Sequence, residues 1–221
     1  MRVVWISMAA ACAGTQPGPR DPPPDVWTTG ITGSVTAAAC EPTDNPLRFR
    51  CAVSVDPPGP VTVTVGDRRW TLPAAGTHDV LLWGLPPDHG LTWEVRADGG
   101  SAHGGLHTGV PRGGAADLVG SVAGAGLGTW FAAPVQCGGE ALAVVLDSDG
   151  VLRWYESMLS GERGITGFAW TPTGPLVHAD GRMWQEGLDG TAGPVWNGAP
   201  LALHHAATTW GDRQVALSAS V

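Results

Sequence analysis

The sequence predicts an all-β chain in two parts, a β-sandwich followed by an incomplete β-propeller. The 33 Gly and 19 Pro, together with only 14% charged residues, favour many short strands joined by turns over long amphipathic helices. Alternating apolar and polar residues, separated by turn signals, run through the first half of the chain. In the second half, Asp-Gly turns between apolar runs predict a series of β-hairpins.

The first twelve residues have the pattern of an export signal. Arg2 precedes an apolar run, residues 3–11, that is too short to span a bilayer. Small residues directly before Cys12 resemble a bacterial lipobox, in which the cysteine is acylated after cleavage. A plain secretory signal and a misplaced start codon are the alternatives. We therefore expect an exported chain (periplasmic, secreted, or held in the cell envelope by a lipid on Cys12), with residues 13–25 as a Pro-rich tether.

Residues 26–108 have the spacing of a β-sandwich. Seven short strands are predicted: 32–38, 47–55, 61–65, 69–72, 78–83, 91–97 and 105–108. This pattern is typical of an immunoglobulin-like or fibronectin type III-like sandwich. The segment GLPPDHGLTWEVRAD, residues 84–98, resembles the fibronectin type III sequence around its penultimate strand, with Trp93 where that family usually has Tyr.

Two of the four cysteines, Cys40 and Cys51, flank a predicted turn inside the sandwich. An exported chain permits a disulfide there, and a bridge closing so short a loop contributes on the order of 2–3 kcal/mol. Two buried free thiols are the alternative. No Cys-x-x-Cys occurs, and the Asp-x-Asp-Gly fragment at Asp147 lacks the remaining ligands of a calcium loop, so no metal site is predicted.

A stretch rich in Gly and Ala, residues 109–128, predicts a linker into the second domain. Beyond it, VVLDSDGVLRWY, residues 144–155, forms an Asp-Gly hairpin. Three of its residues recur about 42 positions later, so that Leu146, Asp147 and Trp154 are matched by Leu188, Asp189 and Trp196. This period is typical of β-propeller blades. Residues 129–221 have room for about two blades, whereas propellers close with about four to eight, so we expect a truncated propeller.

The second half resembles the bacterial aryl-sulfate sulfotransferases, which are exported β-propellers preceded by a small β-sandwich. The resemblance rests on four segments in order: VVLDSDGVLRWY, GITGFAW, LVHADGRMWQEGLDG and LALHHAATTW. In that family a blade carries an Asp-x-Asp-Gly-x-x-x-Trp-Tyr hairpin, a glycine-rich turn, and a His-His pair followed by Asp. In this chain Ala206 stands in place of that Asp.

The resemblance implies sulfuryl transfer from an aryl sulfate to a phenol, with no cofactor. A channel histidine is transiently sulfated, while other His and Arg side chains hold the sulfuryl oxygens, as preorganised positive groups do for developing negative charge. His204 and His205 match the His-His pair that contacts the sulfate group, and only one of two adjacent strand residues faces the channel. The family's nucleophile lies in a later blade, so we expect it beyond Val221 and expect no turnover by residues 1–221.

Two other functions fit the residues. A non-catalytic, exported or lipid-anchored module would bind a partner through the sandwich, residues 26–108. A fragment of a quinoprotein-type propeller would have similar Asp-Gly hairpins, but the pair His204-His205 favours the sulfotransferase over it. His178, next to an Asp-Gly turn, is expected to be an ordinary turn-flanking residue. The net charge of −8 argues against nucleic acid and anionic membranes as partners, so a lipid on Cys12 is the predicted link to a membrane.

Overall fold

The computed structural model describes residues 7–12, 25–123, 130–137, 139–158, 165, 167–179, 182–197, 202–210 and 213–219. For residues 7–12, 117, 119–123, 197, 202–210 and 213–219 the description covers the backbone alone. The described residues form β-strands joined by turns, with one short 3-10 helix, Gly113–Asp117. The all-β expectation is therefore confirmed.

Seventeen strands are described, and their bounds are β1 (Ser7–Cys12), β2 (Asp25–Thr32), β3 (Val35–Pro42), β4 (Phe49–Val65), β5 (Arg68–Leu82), β6 (Gly90–Ala97), β7 (Gly100–His107), β8 (Leu118–Ala123), β9 (Trp130–Cys137), β10 (Glu140–Asp147), β11 (Leu152–Met158), β12 (Gly167–Thr171), β13 (Gly174–Ala179), β14 (Arg182–Glu186), β15 (Ala192–Asn197), β16 (Ala202–Trp210) and β17 (Arg213–Ala219). Each recorded strand pair is antiparallel. Within the described ranges, no helix has the length and hydropathy needed to cross a bilayer.

The chain divides into two compact units. The first, which we name the sandwich unit after the sequence prediction, comprises Gln16–Arg112. The second, which we name the blade unit for the same reason, comprises Met1–Thr15 together with Gly113–Val221. The change from one unit to the next after Arg112 falls inside the stretch that the sequence predicts as a linker.

The sandwich unit is organised by its long strand β4, which changes partner halfway along. Its first half, residues 49–55, pairs with β3, and its second half, residues 61–65, pairs with β6. Strand β5 follows β4 along both halves, with register shifts around Gly59. Pro is tolerated at such irregular positions because no ladder hydrogen bond is lost. The sequence predicts a turn at Pro57-Pro58-Gly59, and the chain instead bends within one strand.

The strand order β2-β7-β6-β4-β3 puts β2 and β3 at the two ends of the sheet, and these two strands nevertheless contact each other. The Thr28 hydroxyl donates to the Ala38 carbonyl at 3.3 Å, so the sheet is nearly closed, like a barrel. The predicted strand 32–38 overlaps β3 but begins too early, because Gly33, at φ +62°, lies in the turn between β2 and β3. Gly adopts positive φ without steric cost.

The inward residues of this sheet form one hydrophobic cluster, which includes Phe49, Val63, Leu82, Trp93 and Leu106, each at most 1% exposed. Cys40 and Cys51 lie directly opposite each other in β3 and β4, with Cα atoms 4.0 Å apart, and a disulfide joins them. The bond therefore fastens two strands whose side chains already share the core.

The blade unit contains two successive up-and-down sheets, with strand orders β11-β10-β9 and β12-β13-β14-β15. In the second sheet, all six residues of β13 are buried, and in the first sheet seven of eight residues of β10 are buried. A strand with one face in solvent alternates, whereas a strand covered on both faces does not. Both central strands are therefore covered on both faces.

The two sheets are linked through Trp154 of β11. Its indole Nε1 donates to the carbonyl of Leu188 at 3.0 Å, and its ring meets Trp170 of β12 edge-on, with centroids 5.4 Å apart. Leu188 lies in the turn between β14 and β15, which is the turn that repeats the Asp147 turn. One of the three residues that define the sequence repeat, Trp154, thus also joins one repeat to the next.

The predicted export signal and the predicted linker each contain a β-strand that the sequence does not predict. Residues 7–12 of the predicted export signal form β1, and β8 arises inside the predicted linker 109–128; the two strands pair, Cys12 opposite Leu118. Each segment is too short to bury its backbone polar groups alone, and pairing satisfies them. Export itself stays a prediction, and the tether residues 13–24 lie outside the described part of the chain.

Candidate functional site

The backbone places His204 and His205 in β16, close to an irregularity of its pairing with β17. Leu203 is opposite Ser218 and Ala207 is opposite Ala216, so the register shifts across the His-His-Ala segment. An irregular position of this kind redirects side chains relative to a regular ladder. The side chains of His204 and His205 lie outside the described part of the chain.

His178, which the sequence treats as an ordinary turn-flanking residue, is an interior residue of β13. It is 2% exposed and is paired with Gly167 on one side and Met183 on the other. An imidazole rarely occupies such a position, because burying a polar ring costs free energy unless its nitrogens are hydrogen-bonded. Its position beside an Asp-Gly turn gives no hint of this burial.

Asp147 organises the hairpin between β10 and β11. Its Oδ1 accepts hydrogen bonds from the backbone N–H of Asp149 at 3.0 Å and of Val151 at 2.9 Å, while its Oδ2 accepts from Arg153 Nε at 2.7 Å. Burial alone raises the pKa of Asp147, but the hydrogen bonds from Arg153, Val151 and Asp149 outweigh it and lower that pKa below its ordinary value. The guanidinium of Arg153 is therefore held in an ion pair with Asp147.

The blade unit contains a cavity of about 230 Å³ between β11 and the sheet that carries β14. Alternate residues of β14 supply one wall, because side chains two apart on a strand share a face; they are Arg182, Trp184 and Glu186. Glu156 and Ser157 of β11 also line the cavity. Glu186 is 6% exposed, and its Oε2 accepts from Trp184 Nε1 at 2.9 Å.

The charges of this cavity do not suit an aryl sulfate. Its lining has two carboxylates, Glu156 and Glu186, and one guanidinium, Arg182. A sulfate group entering here would meet more negative than positive charge, and like charges repel most strongly where water is partly excluded. A small ligand with a cationic or hydrogen-bond-donating group suits the lining better. Among the described residues no group of three or more His, Cys, Asp or Glu could hold a metal ion.

Sequence reasoning missed the cavity and its acidic wall. The available signal is the spacing of Trp184 and Glu186, two residues apart on a predicted strand and followed by an Asp-Gly turn. That spacing puts both side chains on one face, but it does not say that a neighbouring sheet leaves a gap in front of them. Such a gap depends on the packing of β11, which no local pattern encodes.

Comparisons with models of protein families, with curated proteins and with solved structures find no match for this chain.

Proposed function

We propose that the chain is an exported protein of the aryl-sulfate sulfotransferase type, with a fibronectin type III-like sandwich ahead of the first propeller blades. Its reaction is sulfuryl transfer from an aryl sulfate to a phenol. His204 and His205 bind the sulfuryl group, and the nucleophilic histidine belongs to a different blade from theirs. The donor and the acceptor are small molecules, and no cofactor takes part.

The observation that supports this proposal best is the link between the repeats. Two antiparallel sheets follow one another along the chain, each with an Asp turn in its last hairpin, at Asp147 and Asp189. The indole of Trp154 donates from the first hairpin to Leu188 in the second. Propellers are built by repeating such sheets around an axis, and the sulfotransferases are propellers of this kind.

The strand pairing of the other unit also supports the proposal. Within one nearly closed sheet, β4 pairs with β3 through residues 49–55 and with β6 through residues 61–65, while β5 pairs with both parts of β4. Long strands that change partners along their length are also found at the corners of small β-sandwiches. This pairing is compatible with the sandwich that the resemblance predicts ahead of the blades.

Binding of 4-nitrophenyl sulfate to the full chain tests the function. We expect isothermal titration calorimetry to detect binding by the wild type and at least a tenfold weaker affinity in the His204→Ala, His205→Ala double variant. His89→Ala, which removes an exposed histidine of the sandwich unit, is the matched control and should bind normally. Equal affinity in the double variant, or no binding by the wild type, would contradict the proposal.

Turnover separates the binding residues from the nucleophile. Histidine attack on sulfur needs the nucleophile and the cationic groups held in a fixed relative position, which contributes about 7–11 kcal/mol of barrier lowering. With phenol as acceptor, residues 1–221 should release no 4-nitrophenol above the double variant. Donor-dependent release above that control would mean that the nucleophile lies within this chain.

A further inference from the structure

Trp27 lies on the outer surface of the sandwich unit and covers a glycine. It is directly opposite Gly105 in the pairing of β2 with β7, and a Cβ atom on Gly105 would collide with the six-membered ring of the indole. The side chain is nonetheless 48% exposed. A large aromatic ring therefore rests on bare backbone with much of its surface open to solvent.

Two adjacent glycines of β7, Gly104 and Gly105, are each covered by an indole ring, one on either face of the sheet. The ring of Trp93, which is 1% exposed and belongs to the core, lies where a Cβ on Gly104 would be. Successive residues of a strand point to opposite faces, so Trp93 fills the inner face and Trp27 the outer face. Trp93 is part of the core, whereas Trp27 covers Gly105 from outside and remains 48% exposed.

A second ring continues the surface. His103 lies two residues before Gly105 on the same face of β7, and its ring lies over Gly30 of β2. Gly30 is opposite His103, and the register of β2 shifts between Thr28 and Gly30. This irregularity allows both Trp27 and Gly30 to face outward, since β-bulges re-aim the residues that follow them. Two rings thus lie side by side on two glycines.

Hydrogen-bonding side chains surround the two rings. On β6, Thr92 is opposite Gly105 and Glu94 is opposite His103. The Glu94 carboxylate accepts from Arg96 Nε at 2.8 Å; the Arg96 side chain is largely exposed and that of Glu94 is partly exposed. Beyond them, Thr32 and Ser101 bring their hydroxyls within 3.1 Å of each other. The outer face of β6, β7 and β2 therefore combines one open indole with hydroxyl, carboxylate, guanidinium and imidazole groups.

These groups favour one class of ligand. A protein partner usually needs a cluster of buried apolar anchors, but within the described sandwich unit the other exposed large apolar residue, Ile31, is opposite the inward-facing Ala102. Nucleic acid and anionic lipid would be repelled by the negative chain, whose net charge is −8. A sugar ring has an apolar C–H face and an edge of hydroxyls, which matches an indole bordered by polar side chains.

We propose that the outer face of β6, β7 and β2 binds a neutral oligosaccharide, with a pyranose ring stacked on Trp27 and its hydroxyls bonded to Glu94, Arg96 and His103. The two glycines leave the surface flat, so it suits extended β-linked glucose-type chains, whose rings present flat C–H faces. This site is independent of the aryl sulfate site and belongs to the other unit. It gives the sandwich unit a binding role of its own.

The test is calorimetric titration of the full chain with cellohexaose, with maltohexaose, whose α-linked chain is curved, as the comparison sugar. The wild type should bind cellohexaose at least fivefold more tightly than maltohexaose. Trp27→Ala should abolish binding. Gly105→Ala should weaken it at least fivefold, because the new methyl group displaces the indole without removing it. Ile31→Ala, on the same strand, should leave the affinity unchanged.

Each contrary result overturns the proposal. Absence of heat with cellohexaose at millimolar concentration would exclude a β-glucan site. Unchanged affinity in Trp27→Ala would place sugar binding elsewhere. Tight partition of the wild type, but not of Trp27→Ala, onto phosphatidylcholine vesicles would assign the ring to a membrane surface, and a Trp27-dependent dimer in sedimentation velocity would assign it to self-association. Circular dichroism spectra of the variants should match the wild type, and a variant that unfolds is replaced by Trp27→Gln.

Discussion

The two units bury their strands in different ways. In the sandwich unit, β6 alternates along its length, with Trp93 and Val95 buried and Thr92 and Arg96 exposed. In the blade unit, β13 is buried at every position. Strand β6 therefore has one face exposed to solvent, whereas β13 has none.

This difference decides where binding groups can lie. An alternating strand has a solvent-exposed face whose side chains do not belong to the hydrophobic core. In the sandwich unit such a face carries Trp27 and its polar neighbours. A strand covered on both faces, such as β10 or β13, has no such surface, so binding groups beside these two strands lie at strand ends or in gaps between sheets. The cavity beside Trp184 and Glu186 is such a gap.

The largest expected difference in stability is between substitutions of the two matched tryptophans of the blade unit, Trp154 and Trp196. Trp154 is 1% exposed, whereas Trp196, its match in the repeat, is 39% exposed. Trp154→Ala should lower the free energy of unfolding by about 3–5 kcal/mol, since a buried aromatic side chain and its cavity are involved. Trp196→Ala should cost less than about 1 kcal/mol. Urea unfolding followed by circular dichroism measures both.

Trp154→Phe sharpens this comparison. It keeps most of the ring but removes the Nε1 donor to Leu188, and it should cost less than Trp154→Ala. Equal losses for Trp154→Ala and Trp196→Ala would mean that the two repeats are packed alike, which contradicts the packing described here.

The next effect concerns a buried hydroxyl in the sandwich unit. Thr108 is 0% exposed; its Oγ1 donates to Pro86 O at 2.6 Å and accepts from His89 N at 2.9 Å. Thr108→Val keeps the shape but leaves those two groups unpaired, and it should cost about 1–3 kcal/mol. Thr92→Val, at an exposed site, should stay within about 0.5 kcal/mol. Urea unfolding measures both variants. If Thr108→Val lowers the free energy of unfolding by less than Thr92→Val does, water replaces the missing hydroxyl of Thr108.

The smallest effect depends on pH. The folded-state pKa of Asp147 lies below its ordinary value of 3.8, so the folded state prefers the carboxylate. Its contribution is fully present above about pH 4 and is lost as the pH falls through the lower folded-state pKa. Asp147→Asn should therefore cost about 1–2 kcal/mol at pH 7, and this cost should decrease as the pH falls below about 4.

Asp189→Asn is the control for this pH dependence. Asp189 occupies the matching turn, but Val195 stands where the first repeat has Arg153. Its substitution should change the free energy of unfolding by less, because Asp189 is only partly buried whereas Asp147 is buried. A cost for Asp147→Asn that stays constant from pH 7 to pH 2 would mean that the ion pair with Arg153 does not stabilise the fold.

Much of the fold follows from local patterns. Alternation marks β6, and the Asp-Gly turn at Asp147 marks the β10–β11 hairpin, because both depend on neighbouring residues alone. The bend within β4 does not follow, since Pro57 and Gly59 predict a turn as well as a bulge. The pairing of β1 with β8 is equally hidden, because it joins segments that are distant in sequence and whose compositions suggest a signal and a linker.

The candidate sites were less accessible from sequence. Cys40 and Cys51 can be matched because they flank one predicted turn. His204 and His205 were found through a family resemblance, and their role stays a prediction. Trp27 was missed because the first strand was placed at residues 32–38, although the segment VWTTGIT before it has apolar residues at Val26, Trp27 and Ile31. Its exposure depends on Gly105, whose place opposite Trp27 is set by strand register.

The most direct test follows the imidazole signals of the seven histidines by NMR while 4-nitrophenyl sulfate is added to the full chain. In the proposed function, His204 and His205 of the blade unit bind the sulfate anion. Their resonances should shift in a saturable way, while those of the sandwich unit, His78, His89, His103 and His107, should stay in place. Saturable shifts confined to the sandwich histidines, or none at His204 and His205, would contradict the claim.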